Sequence, residues 1–294
     1  MSSAFPSVER RPLLTRQEFY GEYVEPGRPV ILTGAISRWP ALERWSPEYF
    51  RQQAGGMRVR VKDGYIARRR TMEMTLGEYL DVIEAHARGP EDAEPAPYLH
   101  DLPLLSAAPG LVGDAEPFPR ELFPRMYRRR WWDFTQFFLA PRGSFTPLHF
   151  DCLETHNLFF QVQGSKHWIL IDRRDAPYCY LHDWRWSEVN AAAPDHERHP
   201  LFRHARPTEC TLGPGEVLYV PPGTLHQVRG LGVSISFNID WHTAQSAVQG
   251  VLAARRGMPL TNVRYNLALA VGLCAGLPAE AVMPFYRSYL NYVS

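Results

Sequence analysis

The sequence predicts a mainly β fold with flanking helices, in which an antiparallel barrel or sandwich is followed by a helical tail. From Phe134 to Trp241 the chain reads as short β-rich runs separated by turn signals such as Gly164-Ser165 and Pro221-Pro222-Gly223. After Thr243 the pattern is helical to the end, around QSAVQGVLAARRG and LPAEAVMPFYRSYLNYV. Ahead of residue 134, isolated strands and helices alternate.

Those earlier elements follow from local chemistry. PVIL (29–32) is β-rich, and SPEYFRQQAGG (46–56) has a serine cap, proline at the first helical position and a glycine stop. TLGEYLDVIEAHARG (75–89) places Leu76, Tyr79, Leu80 and Ile83 on one helical stripe. The acidic, proline-rich GPEDAEPAP (89–97) reads as an exposed loop. There is no internal repeat and no low-complexity tract.

At 294 residues, 45% hydrophobic and 21% charged, the chain can bury one large core or two modest ones. A net charge of +1 provides no global field for nucleic acid or an anionic membrane. The clusters ARRR (67–70) and YRRRWW (127–132) read as solvated loop arginines, with contact to an acidic partner as the alternative. Cys152, Cys179, Cys210 and Cys274 form no C-x-x-C pair, so they are expected to be reduced thiols of a cytoplasmic protein. MSSAFPSVERRPLL lacks the apolar centre of a signal peptide, and LALAVGLCAGL (267–277) is about half of the roughly 20 residues a spanning helix needs. No membrane association is expected.

The chemistry concentrates in the β-rich region. His149 and Asp151 form an H-x-D pair whose side chains share one face of a strand, and His226 follows the Pro-Pro-Gly turn on another strand. Two imidazoles and one carboxylate are the ligand set of a facial triad that leaves positions open on non-haem Fe(II). A second histidine cluster, His196, His199 and His204 in DHERHPLFRH, is irregularly spaced around a proline and reads as a surface loop.

Lys166 stands out because 30 of the 32 basic residues are arginine, Lys62 being the other lysine. A two-residue turn at Gly164-Ser165 predicts a hairpin that pairs Lys166 with Gln163, Trp168 with Gln161, Leu170 with Phe159 and Asp172 with Asn157. On that register Asn157, Phe159 and Lys166 share a side, away from Leu158, Phe160 and Val162. That side offers a cation, an amide and an apolar wall to a small anion. In GVSISFNID (232–240), Ser234, Ser236 and Asn238 alternate with Val233, Ile235, Phe237 and Ile239, so a small polar face is expected to line the lumen.

These motifs, with RPVILTGAISRWPALERW, NLFFQVQGSKHWIL, SEVNAAAPDHERHPLF and SFNIDW, make residues 28 to 243 resemble a Jumonji-C domain of the cupin superfamily. The resemblance is to the small hydroxylase branch of the Fe(II)- and 2-oxoglutarate-dependent oxygenases, particularly its asparaginyl and tRNA-wybutosine hydroxylases. It implies a double-stranded β-helix (jelly-roll) core. A cupin-like oxygenase domain over 1–243 would carry an N-terminal elaboration, and a helical segment over 244–294 is a candidate for homodimer formation.

The same resemblance makes His149, Asp151 and His226 the iron ligands and gives Lys166 and Thr146 the distal carboxylate of 2-oxoglutarate. Asn157, Asn238 and Tyr98 would line the cosubstrate pocket; His100 departs from the glutamine that follows the tyrosine in the asparaginyl enzymes. Fe(II), 2-oxoglutarate and O2 are the implied cofactors. The expected activity is hydroxylation of a side chain, at the β-carbon, in a peptide or protein. Because the arginine bias points to a G+C-rich bacterial genome, a tailoring enzyme for a ribosomally made peptide is one version. The alternatives are a hydroxylase of a modified RNA base, with the arginine clusters on phosphates, and a non-catalytic cupin that binds a metal or ligand.

Overall fold

The computed structural model describes residues 5–63, 70–90, 94 and 96–290. Most of the ARRR cluster and part of the acidic loop lie outside the described residues.

The N-terminal third runs β1 (Arg10–Pro12), α1 (Arg16–Phe19), β2 (Val30–Thr33), α2 (Ala41–Arg44), α3 (Pro47–Ala54), β3 (Arg58–Lys62), β4 (Thr71–Thr75) and α4 (Leu76–Arg88). It continues through β5 (Leu99–Leu102), α5 (Leu104–Ala107) and α6 (Arg125–Arg128). Ser46 caps α3 as expected, and Thr75 with Glu78 forms a capping box on α4. That helix buries the four residues of its apolar stripe.

The β region comprises β6 (Thr135–Ala140), β7 (Phe145–His149), β8 (His156–Gln163), β9 (Lys166–Ile171), β10 (Leu181–His182), β11 (Trp186–Ser187), β12 (Thr208–Leu212), β13 (Glu216–Val220), β14 (Leu225–Gly230) and β15 (Ser234–Trp241). One sheet has the order β1-β2-β13-β8-β15-β6-β5 and the other β10-β11-β7-β14-β9-β12. All their pairings are antiparallel except β1 with β2. This is the antiparallel sandwich that the strand spacing predicts, in the jelly-roll form that the resemblance implies. Helices α7 (Ala244–Leu252), α8 (Leu260–Cys274) and α9 (Ala279–Leu290) close the chain.

The sandwich has three apolar layers. Leu158, Phe160 and Val162 of β8 face the helices in the largest cluster, whereas Phe159 joins Ile31, Phe138, Trp168 and Leu218 between the sheets. Leu148, Ile169, Ile171 and Leu225 pack on the outside of the smaller sheet. The larger sheet is therefore covered on both faces, and a polar lumen face is expensive unless its groups meet partners there.

One expectation is corrected. β8 and β9 do not pair as a hairpin: β8 bonds to β13 and β15, while β9 bonds to β12 and β14. At Gly164-Ser165 the chain crosses from one sheet to the other. Gly164 has φ +66°, and a Cβ there would lie 2.3 Å from the Val233 carbonyl oxygen, so glycine is required by both conformation and space. Asn157, Phe159 and Lys166 still share the lumen, because they face one another across the sandwich rather than along a ladder.

Candidate metal centre

The β7–β14 pairing sets the geometry. His149, at the end of β7, is directly opposite His226 on β14, and their ring centroids are 4.3 Å apart. Asp151 follows β7, with its Oδ1 3.8 Å from His226 Nε2. One ligand atom from each of the three residues lies within 4.8 Å of the others, the only such grouping of His, Cys, Asp and Glu among the described residues.

The donor chemistry fits a cation. His149 Nδ1 is 2.8 Å from the Pro147 carbonyl and His226 Nδ1 is 3.1 Å from that of Thr224. Each Nδ1–H donates to its carbonyl, which fixes the tautomer and leaves the Nε2 lone pair for a metal. Burial, with the neighbouring His226 second, lowers the His149 pKa well below its ordinary value, so the imidazole is neutral as ligation requires.

A cavity between the sheets contains this triad together with Tyr98, Thr146, Asn157, Lys166 and Asn238, the residues to which the resemblance gives the cosubstrate. Lys166 is 2% exposed; its ammonium donates to Tyr98 Oη at 3.0 Å and Ser236 Oγ at 3.1 Å. The rings of Phe159 and Phe138 lie 4.8 and 5.1 Å away. Among the described residues it forms no ion pair. Burial pulls its pKa down to about 7, partly opposed by Asp101. Gln136 Nε2, Trp168 Nε1, Asn157 Oδ1 and Asn238 Oδ1 are also buried on this cavity, with no hydrogen-bond partner among the described residues. A lone ammonium and two free donors suit an acceptor-rich anion.

Several residues at the cavity were assigned no role from the sequence. Asp240 accepts from Asn157 Nδ2 at 2.9 Å and Asn238 Nδ2 at 3.2 Å, and Asn157 Nδ2 also reaches Asp151 Oδ2 at 3.4 Å. Asp240 continues the alternation of Ser234, Ser236 and Asn238, and that was the available signal. Arg185 and Trp186 face the triad from β11 and the turn before it, with the guanidinium carbon 4.4 Å from the indole centroid. Lys62, His100 and Asp101 make a compact polar group at the cavity wall, with Lys62 Nζ 2.9 Å from Asp101 Oδ2 and 3.1 Å from His100 Nδ1. Burial lowers the His100 pKa to about 4, whereas His100 and Lys62 hold the Asp101 carboxyl down against its own burial.

The other candidate features resolve simply. His196, His199 and His204 do not converge; His199 is buried against Tyr180 instead. Arg128, Arg129 and Arg130 pair with Glu121, Glu280 and Asp133. None of the four cysteines forms a disulfide. Among the described residues no helix is long and apolar enough to cross a membrane.

A cupin-like domain model matches residues 16–247. The chain is similar to the human bifunctional peptidase and (3S)-lysyl hydroxylase JMJD7, at 29% identity over 280 residues, 81% of this chain and 84% of that protein. It is similar to Jumonji C domain-containing protein 5 of Drosophila melanogaster at 30% over 237 residues, 76% of this chain. There it spans 57% of the relative's length. Human tRNA wybutosine-synthesizing protein 5 is 27% identical over 252 residues, 80% of this chain and 77% of that protein. The match across both sheets and the metal-ligand cluster, with Jumonji-C proteins among its relatives, means that this chain belongs to the cupin-like, Jumonji-C family of 2-oxoglutarate-dependent oxygenases.

Proposed function

We propose that the protein is an Fe(II)- and 2-oxoglutarate-dependent hydroxylase of a side chain in a peptide or protein. The observation that carries the reading is a buried ammonium, Lys166, that forms no ion pair among the described residues and lies in the same cavity as a convergent His-Asp-His triad. In this reading His149, Asp151 and His226 hold the iron. Lys166, with Tyr98 and Thr146, holds the distal carboxylate of the cosubstrate, and Asn157 and Asn238 line its pocket. Iron bound this way, with 2-oxoglutarate and O2, supplies the oxidising power to hydroxylate an unactivated C–H bond, which side chains alone lack.

The chain's own part is positioning and charge. The Pro147 and Thr224 carbonyls fix the imidazoles, Asn157 steadies Asp151, and the aromatic walls around Lys166 keep water away and strengthen its bond to a carboxylate. Arg185 offers a second cation at the metal end of the cavity, where a polar group of the substrate can be held.

A peptide or protein substrate is supported by the lysyl hydroxylase named among the relatives, which matches most of both chains, and β-carbon hydroxylation of a ribosomally made peptide is one form of it. The second reading, a hydroxylase of an RNA base, is supported by the match to the wybutosine-synthesizing protein. The pairing of Arg128, Arg129 and Arg130 with acidic neighbours leaves it less cationic surface for phosphates. The intact triad disfavours a non-catalytic cupin. Reconstitution with Fe(II), 2-oxoglutarate and air, followed by mass spectrometry of candidate peptides and tRNA, tests the proposal. A gain of one oxygen atom on a peptide with matching succinate release is expected. The same gain on RNA alone would overturn the peptide assignment.

A further inference from the structure

Asp151 is the triad member with the least support from the sheets. His149 and His226 sit on paired strands, but Asp151 lies in the loop between β7 and β8, which must turn while keeping its carboxylate aimed at both histidines. Its Oδ2 has one long contact, from Asn157. The loop closes on itself through the Glu154 amide, which donates to the Asp151 carbonyl at 2.8 Å, and Glu154 takes a left-handed φ of +54°. A non-glycine residue in that conformation persists only where its surroundings impose it.

The C-terminal helices are what impose it. Asn262 Nδ2 on α8 donates to the Cys152 carbonyl at 3.1 Å, and Asn266 Nδ2, one turn on, donates to the Leu153 carbonyl at 3.2 Å. Arg256, between α7 and α8, donates to Glu154 Oε2 at 2.6 Å, while Arg173 lies 3.6 Å from Oε1. Glu154 is buried, so these guanidiniums neutralise a carboxylate that would otherwise be costly there. Asn266 is itself fixed, its Oδ1 3.0 Å from His242 Nε2. A Cβ on Gly250 of α7 would lie 2.3 Å from Asn266 Nδ2, so α7 carries glycine where it packs on that amide. Three successive residues after the acidic ligand are thus gripped by one helical hairpin.

We propose that the α7–α8 hairpin is a positioning element of the metal centre, in which Arg256, Asn262 and Asn266 hold residues 151–154 and thereby aim the Asp151 carboxylate at His149 and His226. The proposal rests on reading the triad as a metal site. On this account the C-terminal segment completes the site instead of merely covering the sandwich.

The test uses the full chain and Co(II), whose visible spectrum reports its ligand set. Arg256→Gln with Asn262→Ala removes two grips at side chains that are not fully buried, and Arg255→Gln is the neighbouring control. The double variant is expected to bind Co(II) about tenfold more weakly, with an altered spectrum, as loss of groups that orient metal ligands typically does. The thermal unfolding midpoint of the metal-free protein should fall only modestly, because Arg173 still faces Glu154, the control should leave affinity unchanged, and Arg256→Lys, which keeps a donor for Glu154, should recover most of the loss. Wild-type affinity and spectrum in the double variant would overturn the proposal, as would a loss that only tracks unfolding of the metal-free protein; Asn262→Ala alone is then the milder variant that separates the two. A wild-type protein that binds no Co(II), or binds it equally well as His226→Ala, would instead bring down the metal reading beneath it.

Discussion

Lys166 concentrates the chemistry of the cavity in a single side chain. A buried ammonium whose partners among the described residues are two hydroxyls and aromatic faces is destabilising, and its pKa near 7 reflects that. Since the folded-state value is below the ordinary 10.5, the unfolded chain binds the additional proton between those limits. The penalty is therefore complete below pH 7 and is relieved as pH rises toward 10.5. Lys166→Met is expected to unfold at a higher temperature than the ligand-free wild type at neutral pH, with the difference shrinking as pH rises, and parallel melting curves across pH would contradict this. Lys166→Ala is expected to weaken 2-oxoglutarate binding by about 10- to 100-fold, the worth of a hydrogen bond to a charged group, while metal affinity is unchanged. Equilibrium titration of both ligands checks it. Because only the ammonium attracts a carboxylate, wild-type affinity for 2-oxoglutarate should also fall above pH 7, approaching tenfold per unit.

At the scale of elements, the short-range signals in the sequence were sufficient. The serine cap of α3, the helical stripe of Leu76, Tyr79, Leu80 and Ile83, and the alternation along β15 depend only on neighbours, and the structure shows each where the pattern puts it. Strand partners depend on the rest of the molecule, and here the Gly164 turn was misread: its positive φ suits a hairpin, but it serves a crossing between sheets. Phase survived the error because alternation along a strand is independent of its partner. Gly164→Ala is expected to destabilise by roughly 1–3 kcal/mol through its positive φ and the contact with the Val233 carbonyl. Chemical denaturation measures it, and a neutral result would show that the crossing can relax. The support of Asp151 from α7 and α8 was not legible at all, since those contacts join residues 102, 110 and 113 positions apart. Arg185 and Trp186 escaped because a two-residue strand has no measurable period.

The molecule as a whole is a sandwich whose lumen is the polar site, and ligands from β7 and β14, paired in the smaller sheet, meet there with one from the loop that leads to β8 of the larger sheet. Its helical tail also leaves Leu260 83%, Val271 54% and Leu267 52% exposed on α8, an apolar stripe at helical spacing that suits burial between two copies of the chain. We propose a homodimer through residues 244–294 on that ground. Leu267→Glu with Val271→Glu is expected to halve the mass seen by light scattering, and a wild type that is already monomeric would contradict it. The account of the whole depends on the triad and Lys166 acting on one ligand pair. Its most direct test is anaerobic addition of 2-oxoglutarate to the Fe(II)-loaded protein, followed in the visible spectrum. A charge-transfer band that is present in wild type, absent in His226→Ala and shifted to higher 2-oxoglutarate in Lys166→Ala is the predicted result; no band in wild type, or one indifferent to both substitutions, would contradict it.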